Sequence, residues 1–185
     1  MSELLDKHGQ MARNILTAFA ESGFKKTSME GIAQASGISR QSVYKRFKTK
    51  ANCYEWTIDT YLSNMYRRIF STLNNNELSP EAVLDNVFDI LIGEAVEIIQ
   101  NTNGAQVLND VLKATHTSEE DWPLRFKSRL ADFIEKNGYA SSEKASGVAF
   151  VLISAGKGLL LEEASRESFH KDMKLIIKSV CTQNT

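Results

Sequence analysis

Between Arg40 and Arg46 the chain places two guanidinium groups, an amide, a hydroxyl, a phenol and an ammonium: Arg40, Gln41, Ser42, Tyr44, Lys45 and Arg46. Lys48 and Lys50 follow closely. These groups recognise a ligand by hydrogen bonds and charge; they are not a constellation for breaking covalent bonds. Arg and Gln form paired hydrogen bonds to guanine and adenine edges. Lys, Ser and Tyr more often hold phosphates, which fixes position without reading sequence. Arg/Lys-rich helices are also often plain solvated faces, so the meaning of this stretch depends on what holds it in place.

The surrounding residues read as two short helices and a tight turn. Thr27 with Glu30 has the spacing of a capping box at a helix start. Ile32, Ala33 and Ser36 give that helix an apolar and small face, and Gly37 supplies the positive φ of the turn. Ser39 restarts the chain as an N-cap, with Ile38 and Val43 packing the second helix back on the first. The expected spans are about 28–36 and 40–47. This is the helix-turn-helix layout, whose second helix lies in the DNA major groove. A bracing helix precedes it at about 6–22, with Met11, Ala12, Ile15, Leu16 and Phe19 as its buried stripe. Gly23 ends that helix and Phe24 folds back.

The run ILTAFAESGFKKTSMEGIAQASGISRQSVYKRFKTK, Ile15 to Lys50, resembles the N-terminal domain of the tetracycline-repressor (TetR) family. The likeness is carried by Gly23-Phe24, Thr27-Ser28, Ile32-Ala33, Gly37-Ile38-Ser39 and the Tyr44-x-x-Phe47-x-x-Lys50 ending. It implies that Tyr44, Lys50 and the Thr27 or Ser28 hydroxyl contact phosphates, while Arg40, Gln41 and Lys45 face bases. Arg46 stands where the family commonly has histidine, which suggests a further phosphate or guanine contact; Ser42 belongs to the same DNA-facing set.

Composition sets the bounds. The chain has 185 residues, 42% hydrophobic and 24% charged, ordinary for a soluble globular protein. Its formal net charge of -1 hides an asymmetry. Residues 1–50 hold nine Lys/Arg against four Asp/Glu, and residues 51–185 hold 13 against 19. The cations sit with the helix-turn-helix. The amino terminus has no apolar signal core, and no uninterrupted apolar stretch is long enough to span a bilayer. A cytoplasmic protein without a membrane partner is expected. Cys53 and Cys181 show no metal or redox spacing, and His8, His116 and His170 are scattered. No metal, cofactor or enzymatic activity is expected.

The remainder reads as helices throughout. Thr49 caps a helix of some 24 residues carrying Tyr54, Ile58, Tyr61, Leu62, Met65, Ile69 and Leu73, on which Arg67 and Arg68 read as solvated. Ser79-Pro80-Glu81 starts a helix to about Gln100 that is apolar on more than one face. A short helix at about 105–114 follows, then one capped by Ser118 to Asp121 and closed at Asn137-Gly138. The last two span about 142–163 and 166–180. Gly inside a helix costs roughly 1 kcal/mol against Ala, so Gly147, Gly156 and Gly158 imply close approach of another backbone.

The expected fold is all-α with about nine helices. A three-helix helix-turn-helix domain, 1–50, is followed by a helical effector-binding and dimerisation domain, 51–185. In the resembled family the last two helices form a dimer interface, which would use Val148, Leu152, Ala155, Gly156, Leu159, Phe169, Met173, Ile176 and Ile177. An internal core pair is the plainer alternative. Candidates of suitable character for an effector pocket are Tyr61, Met65, Phe88, Ile92, Gln106, Asn109, Trp122, Phe126 and Phe150. The partners implied are double-stranded operator DNA, an unidentified small-molecule effector and a second copy of the chain. The expected function is a transcriptional repressor released by its ligand; the alternative is a DNA-binding protein of the same fold, architectural or occluding, that senses no small ligand.

Overall fold

Short polar side chains set where the helices begin. Ser28 Oγ accepts the Gly31 N–H (3.0 Å), Ser39 Oγ the Ser42 N–H (3.1 Å) and Thr49 Oγ1 the Asn52 N–H (3.1 Å). Ser79, Asp121 and Ser165 do the same for Ala82, Leu124 and Ser168. Each satisfies an N–H that the helix itself leaves without a partner. The structure, a computed structural model, describes residues 2–117, 121–162 and 165–181, without the side chains of residues 2–6 and 116–117. His116 and the Ser118–Glu120 part of the expected cap lie outside the described residues.

The helices are α1 (Ser2–Lys26), α2 (Met29–Ser36), α3 (Arg40–Phe47), α4 (Lys50–Leu73), α5 (Pro80–Phe88), α6 (Glu94–Ile99), α7 (Gly104–Thr117), α8 (Trp122–Lys136), α9 (Ser142–Glu162) and α10 (Arg166–Val180). A π-helical turn, Asp89–Gly93, joins α5 to α6, so these make one continuous rod. The protein is all-α, with no strand among the described residues.

The chain forms two compact units, Met1–Met65 with Ile98–Ser118, and Tyr66–Glu97 with Glu119–Thr185. The division falls inside α4, and α7 belongs with the amino-terminal helices.

In the first unit α1 packs on α2 and α7, and α2 on α3. Ile15, Leu16, Phe19, Ile32 and Val43 are fully buried. Gly23 breaks α1 with φ 76°. Asn103, just before α7, closes that end: its N–H donates to Ala20 O (2.7 Å) and its amide to Glu21 O (3.0 Å). Tyr54 donates to Asp110 (3.0 Å), and burial together with that bond pushes its phenol pKa up. The bracing helix α1 thus rests on a helix from much later in the chain.

In the second unit α9 packs on α8, α10 and the π turn, and α10 also packs on α5. Gly156 lies against the π-turn rod: a Cβ there would sit 3.4 Å from Phe88 and 3.5 Å from Ile92. Asp89, in the π turn, accepts from Arg166 Nε (2.7 Å) and Nη2 (2.6 Å), with His170 Nε2 at 2.9 Å. Burial alone would raise the Asp89 carboxyl, but the Arg166 bonds and charge, with His170, hold it below the usual range. Arg68, expected in solvent, instead donates from Nη1 and Nη2 to the two carboxylate oxygens of Glu94, which is 3% exposed. Apolar periodicity does not reveal such a pairing 26 residues away.

Candidate nucleic-acid interface

Helix α3 is eight residues long, and two of them, Val43 and Phe47, are buried. Those two are four apart and hold one side of the helix to its own unit. The others are left outside: Arg40, Gln41, Ser42, Tyr44, Lys45 and Arg46 are all exposed, Tyr44 by 44%. The αL turn at Gly37 (φ 69°) and the Ser39 cap set the direction in which α3 leaves α2.

Several of these groups are already oriented. The Arg40 guanidinium lies 5.8 Å from the Tyr44 ring centre and 3.4 Å from Glu30. Arg46 sits over the rings of Trp56 (4.5 Å) and Phe47 (5.4 Å), a cation–π arrangement that restricts a long side chain without neutralising it. Ser42 Oγ is 2.9 Å from Ser39 Oγ. Lys50 Nζ donates to Lys25 O (3.1 Å) and Thr27 O (3.0 Å) and lies over Phe24 (4.8 Å). It therefore ties the start of α4 to the end of α1, keeping one donor for a phosphate.

Two features differ from the sequence expectation. Ser28, not Thr27, caps α2; Thr27 is 5% exposed and its hydroxyl donates to Gly23 O (2.8 Å). Of the two candidate hydroxyls, only Ser28 faces solvent. Adjacent hydroxyl residues at a helix start are interchangeable by type, and only the burial of Thr27 against the Gly23 carbonyl separates them. The second feature left no signal in the sequence. Lys48 has φ 64° and ψ -52°, and the Thr49 N–H reaches Phe47 O at 2.7 Å. This is a γ-turn on a non-glycine residue, a strained conformation that re-aims the chain between α3 and α4.

Nothing in this surface is arranged for catalysis. Burial pushes the Cys53 thiol up to about 11, against the lowering effect of Thr57 and Arg46, so it stays protonated. No three His, Cys, Asp or Glu side chains come together as a metal site among the described residues.

The profile described as "Bacterial regulatory proteins, tetR family" matches residues 15–55, which span this surface and the helices that hold it. Solved structures extend the likeness to the whole fold. A transcriptional regulator from Aquifex aeolicus VF5 superposes with TM-score 0.57 at 19% identity, over 92% of this chain and 99% of that one. A TetR regulator from Legionella pneumophila does so with TM-score 0.59 at 16% identity, over 94% and 96%. Residues 15–55 therefore carry a tetR-family amino-terminal domain. Among curated family relatives, the negative transcriptional regulator IcaR of the biofilm operon icaADBC, from Staphylococcus aureus, is 26% identical over 78 residues. That alignment covers 42% of this chain and 42% of the length of IcaR.

The pocket candidates, chosen for their character, divide between the two units. Of the nine pocket candidates, Tyr61, Met65, Gln106 and Asn109 fall in the first unit and the other five in the second. Gln106 and Asn109 are exposed, as is Phe150 on the outer side of α9. Phe88 and Ile92 are buried beneath Gly156, while Trp122 stacks on Tyr66 (5.3 Å) beside Phe126. Phe150 therefore does not join the buried pair. α9 is apolar nearly all round, so the sequence alone could not say which side faces in.

The same ambiguity misplaces part of the expected dimer surface. Leu152, Gly156, Phe169, Met173 and Ile177 are buried within their own unit. Val148, Ala155, Leu159 and Ile176 are partly exposed. The open face of α9 instead carries Gly147, Val151, Ser154, Gly158 and Leu161, at helical spacing. Leu161 is 79% exposed and Leu175 of α10 is 64% exposed. A Cβ at Gly147 or Gly158 would meet nothing within 4 Å.

Proposed function

We propose that the protein is a cytoplasmic, dimeric transcriptional repressor that leaves its operator when a small molecule binds. The observation that carries this reading is α3: an anchored helix with six hydrogen-bonding side chains exposed on one surface. On α3 Arg40, Gln41 and Lys45 read base edges, while Tyr44 and Arg46, with Ser28 before α2 and Lys50 at the start of α4, grip phosphates. Repression is supported by IcaR, a negative regulator, in the part of the chain that the alignment covers.

Residues 1–50 act as the DNA reader and residues 51–185 as the effector and dimerisation region. The partner for the open α9 and α10 faces is a second copy, related by a two-fold axis. By length and composition α9 could also cross a membrane, but its packing on α8, α10 and the π turn favours a protein partner. Two copies place two reading helices on half-sites about 34 Å apart. The effector acts through differential affinity for the DNA-competent and incompetent states, and a coupling of about 1–3 kcal/mol lowers operator affinity some 5- to 150-fold.

Selection of bound duplexes from a random pool, followed by titration at several salt concentrations, tests the DNA reading. A two-fold symmetric consensus with steep salt dependence is expected; binding independent of salt and sequence contradicts it. Small molecules that raise the melting temperature should then release the duplex. Ligands that stabilise the protein without moving it off DNA would favour the alternative of a same-fold protein that occludes DNA without sensing.

A further inference from the structure

Arg40 has a carboxylate neighbour before any nucleic acid arrives. Glu30 Oε2 lies 3.4 Å from its Nη1, and the two side chains are 76% and 61% exposed. Glu30 belongs to the first turn of α2 and Arg40 to the first turn of α3. At such exposure an ion pair contributes little to folding, because water and salt screen it. On a cationic surface meant for a polyanion, the carboxylate also opposes approach. A side chain that adds little to the fold and works against general affinity has its natural use in discrimination.

We propose that Glu30 is a positioning residue that sets specificity: it competes with DNA for the Arg40 guanidinium. On a random duplex Arg40 stays with Glu30, and the carboxylate repels the nearby phosphates. A guanine edge offers two acceptors in the geometry of the guanidinium fork and draws Arg40 away. The correct base therefore restores what the acidic neighbour withholds, and a wrong one does not. This rests on α3 being the DNA-reading helix.

The test uses the full-length protein with Glu30→Gln, Arg40→Ala and the double variant. Each is titrated against the selected duplex and a scrambled duplex over a range of salt. Glu30→Gln should tighten scrambled-duplex binding by about tenfold, and selected-duplex binding much less, so that discrimination falls. The scrambled-duplex salt slope should steepen by about 0.9 per subunit as Arg40 takes a phosphate. In the Arg40→Ala background Glu30→Gln should change neither the discrimination nor the slope. Equal tightening on both duplexes in the protein that retains Arg40 would reduce Glu30 to a general repulsive charge and overturn the proposal. Loss of a single cytosine preference would make Glu30 a direct reader and overturn it as well. A wild-type protein that binds no duplex would instead remove the reading of α3 on which the proposal stands.

Discussion

Helices α3 and α9 both turn outward a face that their own unit does not cover, and the two faces have opposite chemistry. On α3 the exposed side chains are Arg, Gln, Ser, Tyr and Lys, and only Val43 and Phe47 go inward. On α9 the outward side chains include Gly147, Val151, Ser154, Gly158 and Leu161, while Ala145, Ala149, Leu152, Gly156 and Leu160 go inward. A charged face is stable in water and recruits a partner by field and hydrogen bonds. An apolar face with small residues is stable only when another surface excludes water from it. The contrast gives the two proposed partners different chemistry, nucleic acid for α3 and another copy of the chain for α9.

Two glycines of α9 give the sharpest way to break that comparison. Gly156→Leu should destabilise the fold by about 3 kcal/mol, because the new side chain must displace Phe88 and Ile92. Gly158→Leu meets open space and should leave subunit stability within about 0.5 kcal/mol, while altering the sedimentation profile. Thermal melts and sedimentation on both variants decide. Equal loss of stability from the two would mean that α9 does not have one inner and one outer face.

The inner side of the same region depends on Asp89. Asp89→Ala removes a carboxylate shared by Arg166 and His170, leaving Arg166 only Glu97, and should cost about 2 kcal/mol, read from denaturant unfolding. Its pH dependence has a definite sign. The folded carboxyl is held below its unfolded value of about 3.9, so its contribution is fully present above that value. It is lost as pH falls through the folded value, and the gap between wild type and variant should close in that acid range. Asp85, raised chiefly by burial against the pull of Lys174 and His170, has the opposite sign. Its charged form is held at some cost at neutral pH, so Asp85→Asn should be tolerated better than Asp89→Ala.

On the charged side, Lys48→Gly separates stability from binding. Glycine adopts φ 64° without a Cβ clash, so relief of strain should stabilise the protein by about 1 kcal/mol. Loss of the cation should at the same time weaken duplex binding. A melting temperature that falls instead would show that the γ-turn is held by the lysine side chain and not by its surroundings.

What could be read in the sequence follows the same division. The helix-turn-helix was legible because its signals are local: Gly37 and Ser39 both lie within three residues of the structure they set. Ser79-Pro80 and Thr49 likewise marked their helices for reasons confined to one turn. The π turn at Asp89–Gly93 was invisible, because its residues are as helix-compatible as their neighbours. The Arg68–Glu94 and Arg166–Asp89 pairs join residues 26 and 77 apart, and no spacing rule reaches so far. The inward side of α9 was undecidable where apolar residues surround the helix, which is why Gly156 and Phe150 were expected on the wrong faces.

The smallest difference on the charged face separates two lysines that look equivalent by type. Lys45 is fully available, on the exposed side of α3, whereas Lys50 already donates to Lys25 O and Thr27 O. Each phosphate contact contributes about 0.9 to the salt slope of binding. Lys45→Ala should remove that amount only if Lys45 grips a phosphate, and little of it if the side chain reads a base. Lys50→Ala should lower the slope by up to the same amount and also loosen the junction of α1 with α4, lowering the melting temperature without DNA. An unchanged melting temperature with a reduced slope would make Lys50 a plain phosphate contact. An unchanged slope with a reduced melting temperature would make it a structural tie, and the charged face would then lose one of its assigned members.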